Sequence, residues 1–237
     1  MIIRYTLLLL VIFSSAFAQK EVTTNTPSFH SISVYGPFKV ILIKGEKSSF
    51  VIDYNDLDKE DVIIKSGKDE LSIKMKNRNF IQFGDDDSWK KTHHRYAKVT
   101  IYYTSLDNIE ARAGAEVKAN EPISSRHLTL VSKMGSDVKL EVKSETIELE
   151  SSMGSNVVLI GTTHSFEVKS KMCSDVNASR LASQLVKVSA SMGADVSVLA
   201  LQEINASAGF GGTIRYTGNP TSKETSTFFG ADIYSGR

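Results

Sequence analysis

A short sequence phrase recurs through the second half of the chain, and it limits the possible folds more than any other feature. It reads SKMGSDV at 132–138, SSMGSNV at 151–157, SKMCSDV at 170–176 and SMGADV at 191–196. One further glycine before this run and two after it keep the same register. The aligned positions lie 18 to 21 residues apart: Gly114, Gly135, Gly154, Cys173, Gly193, Gly211 and Gly230. A repeat of about 20 residues is typical of a solenoid.

Apolar residues hold fixed positions on both sides of the phrase. Alternate side chains of a strand face the same side, so columns of such residues are expected to fill a solenoid interior. The alternation, carried through the phrase, places small residues and then the four methionines inside as well: Ser132, Ser151, Ser170 and Ala190, then Met134, Met153, Met172 and Met192. The six glycines are predicted to be structural turns with positive φ, which glycine adopts at little cost.

The first half of the chain also predicts strands. Six runs rich in Val, Ile, Phe and Tyr are separated by polar clusters: FHSISV, FKVILI, FVIDY, DVIIKS, LSIKM and KVTIYY. No sustained helical periodicity interrupts them. The predicted fold class is therefore all-β, with a smaller packed β-domain at 29–108 followed by a β-solenoid at 109–237.

The N-terminus has the composition of an export signal. Residues 1–18 carry one early charge at Arg4, an apolar run from Leu7 to Phe13, and small residues at Ala16 and Ala18. This pattern predicts a signal peptide cleaved before Gln19, and the run is shorter than the roughly 20 residues of a membrane span. Residues 19–28 are predicted to be a flexible lead-in. The mature chain is expected in the periplasm, on the outer surface or secreted.

Charge and cysteine content narrow the partners further. The chain has 28 basic and 27 acidic residues, so no bulk field favours nucleic acid or an anionic membrane. The single cysteine, Cys173, cannot form an intramolecular disulfide. We therefore expect no nucleic-acid partner, no membrane span and a fold that is stable without disulfides.

An acidic column accompanies the repeat. Glu116, Asp137, Asn156, Asp175, Asp195 and Asp232 recur at the corner, about 5 Å apart if the turns stack. One interpretation is that these side chains are turn residues that bond nearby amides. Alternatively, Asp137, Asp175 and Asp195 could share a cation, although the nonapeptide of calcium-binding β-rolls is absent from the sequence.

The segment 80–96 is the other candidate site. It reads FIQFGDDDSWKKTHHRY and contains the only tryptophan and two adjacent histidines. The cluster could bind a metal ion or stack a sugar, or it could be a solvated hairpin loop. The candidate ligand-binding residues are Asp85, Asp86, Asp87, Trp89, His93 and His94.

The sequence offers little that suggests catalysis. It has no G-x-S-x-G nucleophile motif, and no histidine lies in register with the acidic column. We predict that the protein is not an enzyme and uses no cofactor.

The order of elements resembles a known family. FHSISVYGPFKVILIKGEKSSFVIDYNDL, DELSIKMK and KVTIYYTSLDNIEARAGAEV are followed by G-[SA]-[DN]-V repeats. This layout, from about Phe29 to Ile233, is similar to the "putative auto-transporter adhesin, head GIN domain" family of bacteria, common in Bacteroidetes. The resemblance implies a β-solenoid-like domain and supplies no catalytic residues. The Met-Gly corners depart from the Ser-Gly that is frequent in that family.

Together these features predict an exported, non-catalytic β-solenoid module for adhesion or cell-envelope interaction. Its partner would be a cell-surface polymer or protein. The alternative is a carbohydrate-binding or carbohydrate-active periplasmic protein that uses Trp89. Segment 217–237 is expected to fold back as a cap or to allow self-association through the C-terminal edge.

Overall fold

The computed structural model describes residues 22–55, 57–76 and 96–236, and these residues form one β-sheet solenoid. The strands are β1 (Val22–Asn25), β2 (Ser31–Tyr35), β3 (Phe38–Lys44), β4 (Ser49–Asp53), β5 (Val62–Ser66), β6 (Glu70–Met75), β7 (Ala97–Tyr103), β8 (Asn108–Arg112), β9 (Glu116–Ala119), β10 (Ile123–Lys133), β11 (Asp137–Ser152), β12 (Asn156–Lys171), β13 (Asp175–Ser191), β14 (Asp195–Gly209), β15 (Thr213–Thr217), β16 (Ser222–Phe228) and β17 (Asp232–Ser235). A 3₁₀ turn at Lys59–Asp61 is the only helical element in the described part of the chain. The prediction of an all-β solenoid is confirmed, as are the six strands expected in the first half.

Each turn of the solenoid, here called a rung, crosses two faces. From β9 onward, the chain repeats one path: it runs along face B, bends, returns along face A and then turns a corner. Face A contains residues 127–133 and the strand segments in register with them; face B contains residues 137–142 and their register partners. Neighbouring rungs pair in parallel, so that β11 lies between β12 on one side and β9 followed by β10 on the other.

In the N-terminal half, the order of the rungs differs from the order of the chain. β2 pairs in parallel with both β6 and β8, and β3 pairs with both β7 and β9. The rung made by β2 and β3 therefore lies between the β6–β7 rung and the β8–β9 rung. Antiparallel strands cover this end: β5 pairs with β6, β4 with β7, and β1 with β4.

A single hydrophobic core fills the solenoid from one end to the other. Ile32, Ile109 and Leu130 are aligned across three successive rungs and are all buried. The predicted interior columns are buried in the later rungs as well: Leu128, Ile147, Phe166 and Val186, with Val138, Val157, Val176 and Val196. The small column, Ser132, Ser151, Ser170 and Ala190, is also buried.

The structure refines two of the expected segment boundaries. In place of a flexible lead-in throughout 19–28, residues 22–25 form β1, because their backbone groups pair with Ser49–Ile52 of β4. The predicted domain boundary at 108/109 falls at the start of β8, which pairs with β2 on one side and β10 on the other. Backbone hydrogen bonds and the hydrophobic core are thus continuous across that position. That the chain contains two independently folding domains remains a prediction.

The C-terminal segment extends the solenoid. β15 and β16 pair in parallel with β14, and β17 pairs in parallel with β15. The expectation that 217–237 folds back as a cap is wrong for the described residues, because parallel pairing carries the chain onward in register. Every residue of β16 is exposed.

Candidate interaction surface

Each Met-Gly corner is built from two consecutive residues in the left-handed region. At the second of these corners Met153 has φ of 59° and Gly154 has φ of 69°. At later corners the flanking residues close a turn: the Ala194 amide donates to the Ser191 carbonyl at 3.3 Å, and Gly212 to Gly209 at 3.0 Å. Two positive φ values are typical of a type I′-like turn, and all six glycines of the predicted structural turns have positive φ.

The two left-handed residues interrupt the strand alternation, and this overturns the expected inward methionines. The four methionines expose between 40% and 50% of their surface, and Phe210 and Phe229 expose 53% and 75%. The side chains at the first corner position therefore point outward in every rung of this region. We call this row of exposed apolar side chains the corner ridge: Met134, Met153, Met172, Met192, Phe210 and Phe229.

Serines occupy the inside of the corner where the methionines were expected. Ser155 is 1% exposed, and its hydroxyl donates to the Ser132 carbonyl of the preceding rung at 2.8 Å. The same oxygen lies 2.9 Å from Ser151 Oγ. Ser136 and Ser174 repeat this arrangement. Small hydroxyl side chains fit the narrow corner and satisfy buried carbonyl groups that methionine could not.

The end of the ridge is aromatic. The rings of Phe210 and Phe229 stack with their centroids 5.3 Å apart and their planes 5° from parallel. Phe228 meets both rings edge to face and lies against Gly209, where an added Cβ would come within 2.4 Å of the ring. The ridge is thus a packed row of side chains along its last rungs.

The two flanks of the ridge carry opposite charge. On the face A side, the residue before the corner is basic in three rungs: Arg112, Lys133 and Lys171. On the face B side, the acidic column is aligned rung by rung: Glu116, Asp137, Asn156, Asp175, Asp195, Thr213 and Asp232. Sequence reasoning found the acids but missed the bases, which occur four residues before three of them.

The acidic side chains have few partners of their own. Asp137, Asp175 and Asp195 form no ion pair with any residue that the structure describes. Burial raises the pKa of Asp175, and the carboxylate of Asp195 in the next rung raises it further. A carboxylate held beside another without a cation costs free energy.

The predicted metal column is incomplete as a cluster of ligands. Asp175 and Asp195 face each other in adjacent rungs, but Asn156 separates Asp175 from Asp137. Within the described residues, no three His, Cys, Asp or Glu side chains come together in a way that could hold a metal ion. Cation binding by this column stays a prediction.

Face A presents a ladder of paired charges. Glu150 accepts from Lys133 Nζ at 2.7 Å and lies 3.6 Å from Lys171 Nζ, so one carboxylate contacts lysines of two neighbouring rungs. Glu167 similarly lies 3.0 Å from Lys169 and 3.4 Å from Lys187. The Lys133 hydrogen bond is the main cause that lowers the pKa of Glu150.

A groove of about 600 Å³ opens on face A at the N-terminal rungs. Ser33 donates to Glu110 Oε2 at 2.8 Å, and Glu110 pairs with Arg112. The Arg112 Nε atom is buried without a partner among the described residues. The other lining side chains mix apolar and basic groups: Tyr35, Ile63, Lys74, Met75 and Lys76.

The other predicted site residues have separate outcomes. Asp85, Asp86, Asp87, Trp89, His93 and His94 lie outside the described residues, between Lys76 and Tyr96, and stay a prediction. Cys173 is exposed at the second corner position with φ of 55°, and its Sγ lies 3.8 Å from the Met192 carbonyl oxygen. No helix in the described ranges has the length and apolar character needed to cross a bilayer.

Several solved structures share this fold. A "putative adhesin" from Bacteroides fragilis superposes with a TM-score of 0.78 at 18% identity, covering 92% of this chain and 98% of the other. A "putative lipid binding protein" from Parabacteroides distasonis gives 0.66 at 14% identity, covering 92% and 96%. A "putative adhesin" from Parabacteroides merdae gives 0.60 at 14%, covering 92% and 95%. Comparison with curated proteins finds no match.

These similarities in fold do not assign the chain to a family. Its sequence does. The profile of the "putative auto-transporter adhesin, head GIN domain" family matches residues 28–220. That range begins just before β2 and ends between β15 and β16, so it includes the capped end and the Met-Gly corners. The corner ridge, the β2–β3 rung and the antiparallel cap are therefore features of a chain that belongs to the head GIN domain family.

Proposed function

We propose that this protein is an exported, non-catalytic module for adhesion or cell-envelope interaction, and that face A is the surface that contacts the partner. The family and the solenoid fold support an adhesin-like role. The observation that carries the choice of surface is the ladder of charges on face A, in which Glu150 and Glu167 each contact two lysines.

A rigid ladder favours recognition of a repetitive partner. Parallel hydrogen bonding fixes successive rungs about 4.8 Å apart, so charges on face A recur at a constant spacing. A cell-surface polymer or protein with regularly spaced charged groups could make the same contact on several rungs. Since each exposed ion pair contributes little by itself, affinity would depend on repetition across the face.

Binding to isolated cell envelopes tests the proposal. Glu150→Lys with Glu167→Lys would reverse the charge of the two central carboxylates on face A, and we expect at least a tenfold loss of envelope binding. The matched control is Glu141→Lys with Glu145→Lys, which makes the same charge change at exposed positions away from the ladder. Equal loss in both variants, or no binding by the native chain, would contradict the proposal.

Carbohydrate binding remains the second candidate, and the groove is the observation that favours it. Its volume of about 600 Å³ lies within the usual range for ligand sites. Tyr35 offers an aromatic surface, and the Nε of Arg112 has no hydrogen-bond partner among the described residues. A glycan array would show saturable binding that Tyr35→Ala or Trp89→Ala abolishes; an array without a hit removes this candidate.

Export is part of the proposal. The family fits an extracellular or envelope protein, and residues 1–18 supply the predicted signal. Mass spectrometry of the chain purified from its own cells should find an N-terminus at Gln19. A full-length N-terminus in the cytoplasmic fraction would contradict it.

A further inference from the structure

We propose that the corner ridge is a dimer interface, where a second copy of this chain lies alongside the first, rung against the same rung. The solenoid axes would be parallel, and a two-fold axis would run between the two ridges. The ridge borders face A and shares Lys133 and Lys171 with the charge ladder on that face, but the inference goes beyond the proposed function.

The first argument is the ridge itself. Four methionines and two phenylalanines occupy one exposed column over six successive corners, a length of about 24 Å at the rung spacing. A bulky side chain in the left-handed region is uncommon and costs free energy relative to glycine. Methionine sulfur could bind a soft metal, but phenylalanine has no sulfur. The property that all six side chains share is therefore exposed apolar bulk. Such a row is expected to meet an apolar partner.

The second argument is the match of charges within each rung. A two-fold axis parallel to the ridge places the face A flank of one copy against the face B flank of the other. Three rungs carry a base on the first flank and an acid on the second, namely Arg112 with Glu116, Lys133 with Asp137, and Lys171 with Asp175. Two rungs are neutral on both flanks, namely Ser152 with Asn156 and Gly209 with Thr213.

In five of the seven rungs, the two flanks therefore match the opposite flanks of the same rung in a second copy. In the other two rungs the face B flank has an acid, Asp195 or Asp232, and the face A flank has no base, since it holds Ser191 or Phe228. An antiparallel pair of ridges would instead place basic flank against basic flank and acidic against acidic. Asp137 and Asp175 have no ion pair within the described residues, whereas Glu116 pairs with Lys118. The bases Arg112, Lys133 and Lys171 already contact Glu110 or Glu150 of their own chain, so the acids of a second copy would share them. Charge complementarity thus selects both the occupant and its direction.

The third argument is Cys173. It is exposed at the corner of the Met172 rung, and the proposed axis brings it close to Cys173 of the second copy. An unpaired cysteine in an exported protein favours pairing between chains. In this arrangement the two copies of face A open on opposite sides of the dimer, which would let it bridge two partners.

Sedimentation equilibrium of the mature chain tests the dimer. We expect the mass of a dimer in samples that contain up to about 100 μM of the chain. Asp137→Lys with Asp175→Lys should give the single-chain mass, because the rungs of Lys133 and Lys171 would then have a base on both flanks. These substitutions remove no side-chain contact seen in the structure, and a Lys beside Asp195 is favourable, so the thermal melting point should be kept. The control Glu141→Lys with Glu145→Lys should remain dimeric.

Cysteine cross-linking tests the direction. Under mild oxidation the native chain should form a covalent dimer through Cys173. In a Cys173→Ser background, Gly135→Cys at the first Met-Gly corner should cross-link as well, because a parallel pair aligns every rung with itself. An antiparallel pair would separate those cysteines by most of the ridge. Glu145→Cys, at the opposite edge, is the control and should not cross-link.

The results separate this inference from the proposed function. A monomeric native chain, a dimer that survives the Asp137 and Asp175 reversals, or failure of Gly135→Cys to cross-link would each overturn the inference. The dimer is measured by mass and cross-linking, whereas the proposed function is measured by envelope binding. Loss of envelope binding in the face A variant with the dimer intact would support both proposals.

Discussion

The two halves of the solenoid use the same core but differ in order, corners and ends. In the C-terminal half, chain order and rung order agree, and the corners carry large exposed side chains such as Met153. In the N-terminal half, the β2–β3 rung is inserted between strands that follow it in sequence, and its corner contains Gly36. The N-terminal end is covered by antiparallel strands, whereas β16 is fully exposed.

The two ends of the solenoid differ in whether other strands cover them. The N-terminal rungs use antiparallel β1, β4 and β5 to cover an edge that would otherwise offer unpaired backbone groups. The C-terminal rungs leave β16 and the apolar corner side chains exposed, whereas the N-terminal rungs contain the groove. The self-association through the C-terminal edge that the sequence suggests therefore stays open as a proposal alongside the ridge dimer.

The largest effect should come from removing one half. A fragment of residues 109–237 would lose β2 and β3, which pair with β8 and β9, and we expect it to be unfolded or insoluble. Truncation after Tyr216 removes only the open end and should lower the melting temperature by a few degrees. Circular dichroism and melting curves of both fragments test this. A folded 109–237 fragment would establish the predicted domain boundary instead.

The next effect compares the inside and the outside of one C-terminal corner. Ser155→Asp would bury a carboxylate beside Ser151 and the Ser132 carbonyl, and we expect a loss of at least about 3 kcal/mol in the free energy of unfolding. Met153→Asp changes an exposed side chain and should cost less than about 1 kcal/mol. Urea denaturation measures both, and comparable losses would mean that the inward assignment of the corner is incorrect.

Substitution of one glycine in each half tests how the corners of the two halves differ. Gly36 has φ of 126°, and an added Cβ would lie 2.9 Å from Met75 Cβ, so Gly36→Ala should cost about 2–3 kcal/mol. Gly154 has φ of 69° with nothing within 4 Å of an added Cβ, so Gly154→Ala should cost about 1 kcal/mol. Equal losses in thermal or urea unfolding would show that backbone conformation alone decides both positions.

The smallest effects concern two carboxylates of the C-terminal half. The pKa of Asp175 is raised in the folded state, so its ionised form opposes folding, and Asp175→Asn should raise the melting temperature slightly at pH 7. The gain should fade as the pH falls through the raised pKa of the folded state and vanish below the unfolded pKa of about 3.9, where the aspartate is protonated in both states. A calcium-dependent rise in the native melting temperature that this variant abolishes would show that the column binds a cation.

Glu150 should behave in the opposite way. Its pKa is lowered by Lys133 and Lys171, so it stabilises the fold above its unfolded pKa of about 4.3, and that stability is lost as the pH falls. Glu150→Gln should therefore lower the melting temperature slightly at pH 7. Since the group is partly exposed, we expect less than about 1 kcal/mol. A rise in melting temperature would indicate that the ladder is not formed in solution.

The candidate surfaces were only partly predictable. The acidic column was found because Asp137 and its counterparts recur with the repeat. The ridge was found as a column but assigned to the wrong side, since alternation was carried through a corner where two left-handed residues interrupt it. The groove could not be predicted, because Ser33, Ile63 and Glu110 come from three strands that are distant in sequence.

The sequence by itself determined the all-β class, the strands of the first half, the rung length and the corner positions. All of these follow from local periodicity and from glycine at positive φ. Only the tertiary structure decided that β2 lies between β6 and β8, that Ser155 is inside the corner and Met153 outside, and that β17 continues the stack. These features depend on pairing between strands far apart in the chain and on the direction of backbone through two left-handed residues, which a one-dimensional pattern does not specify.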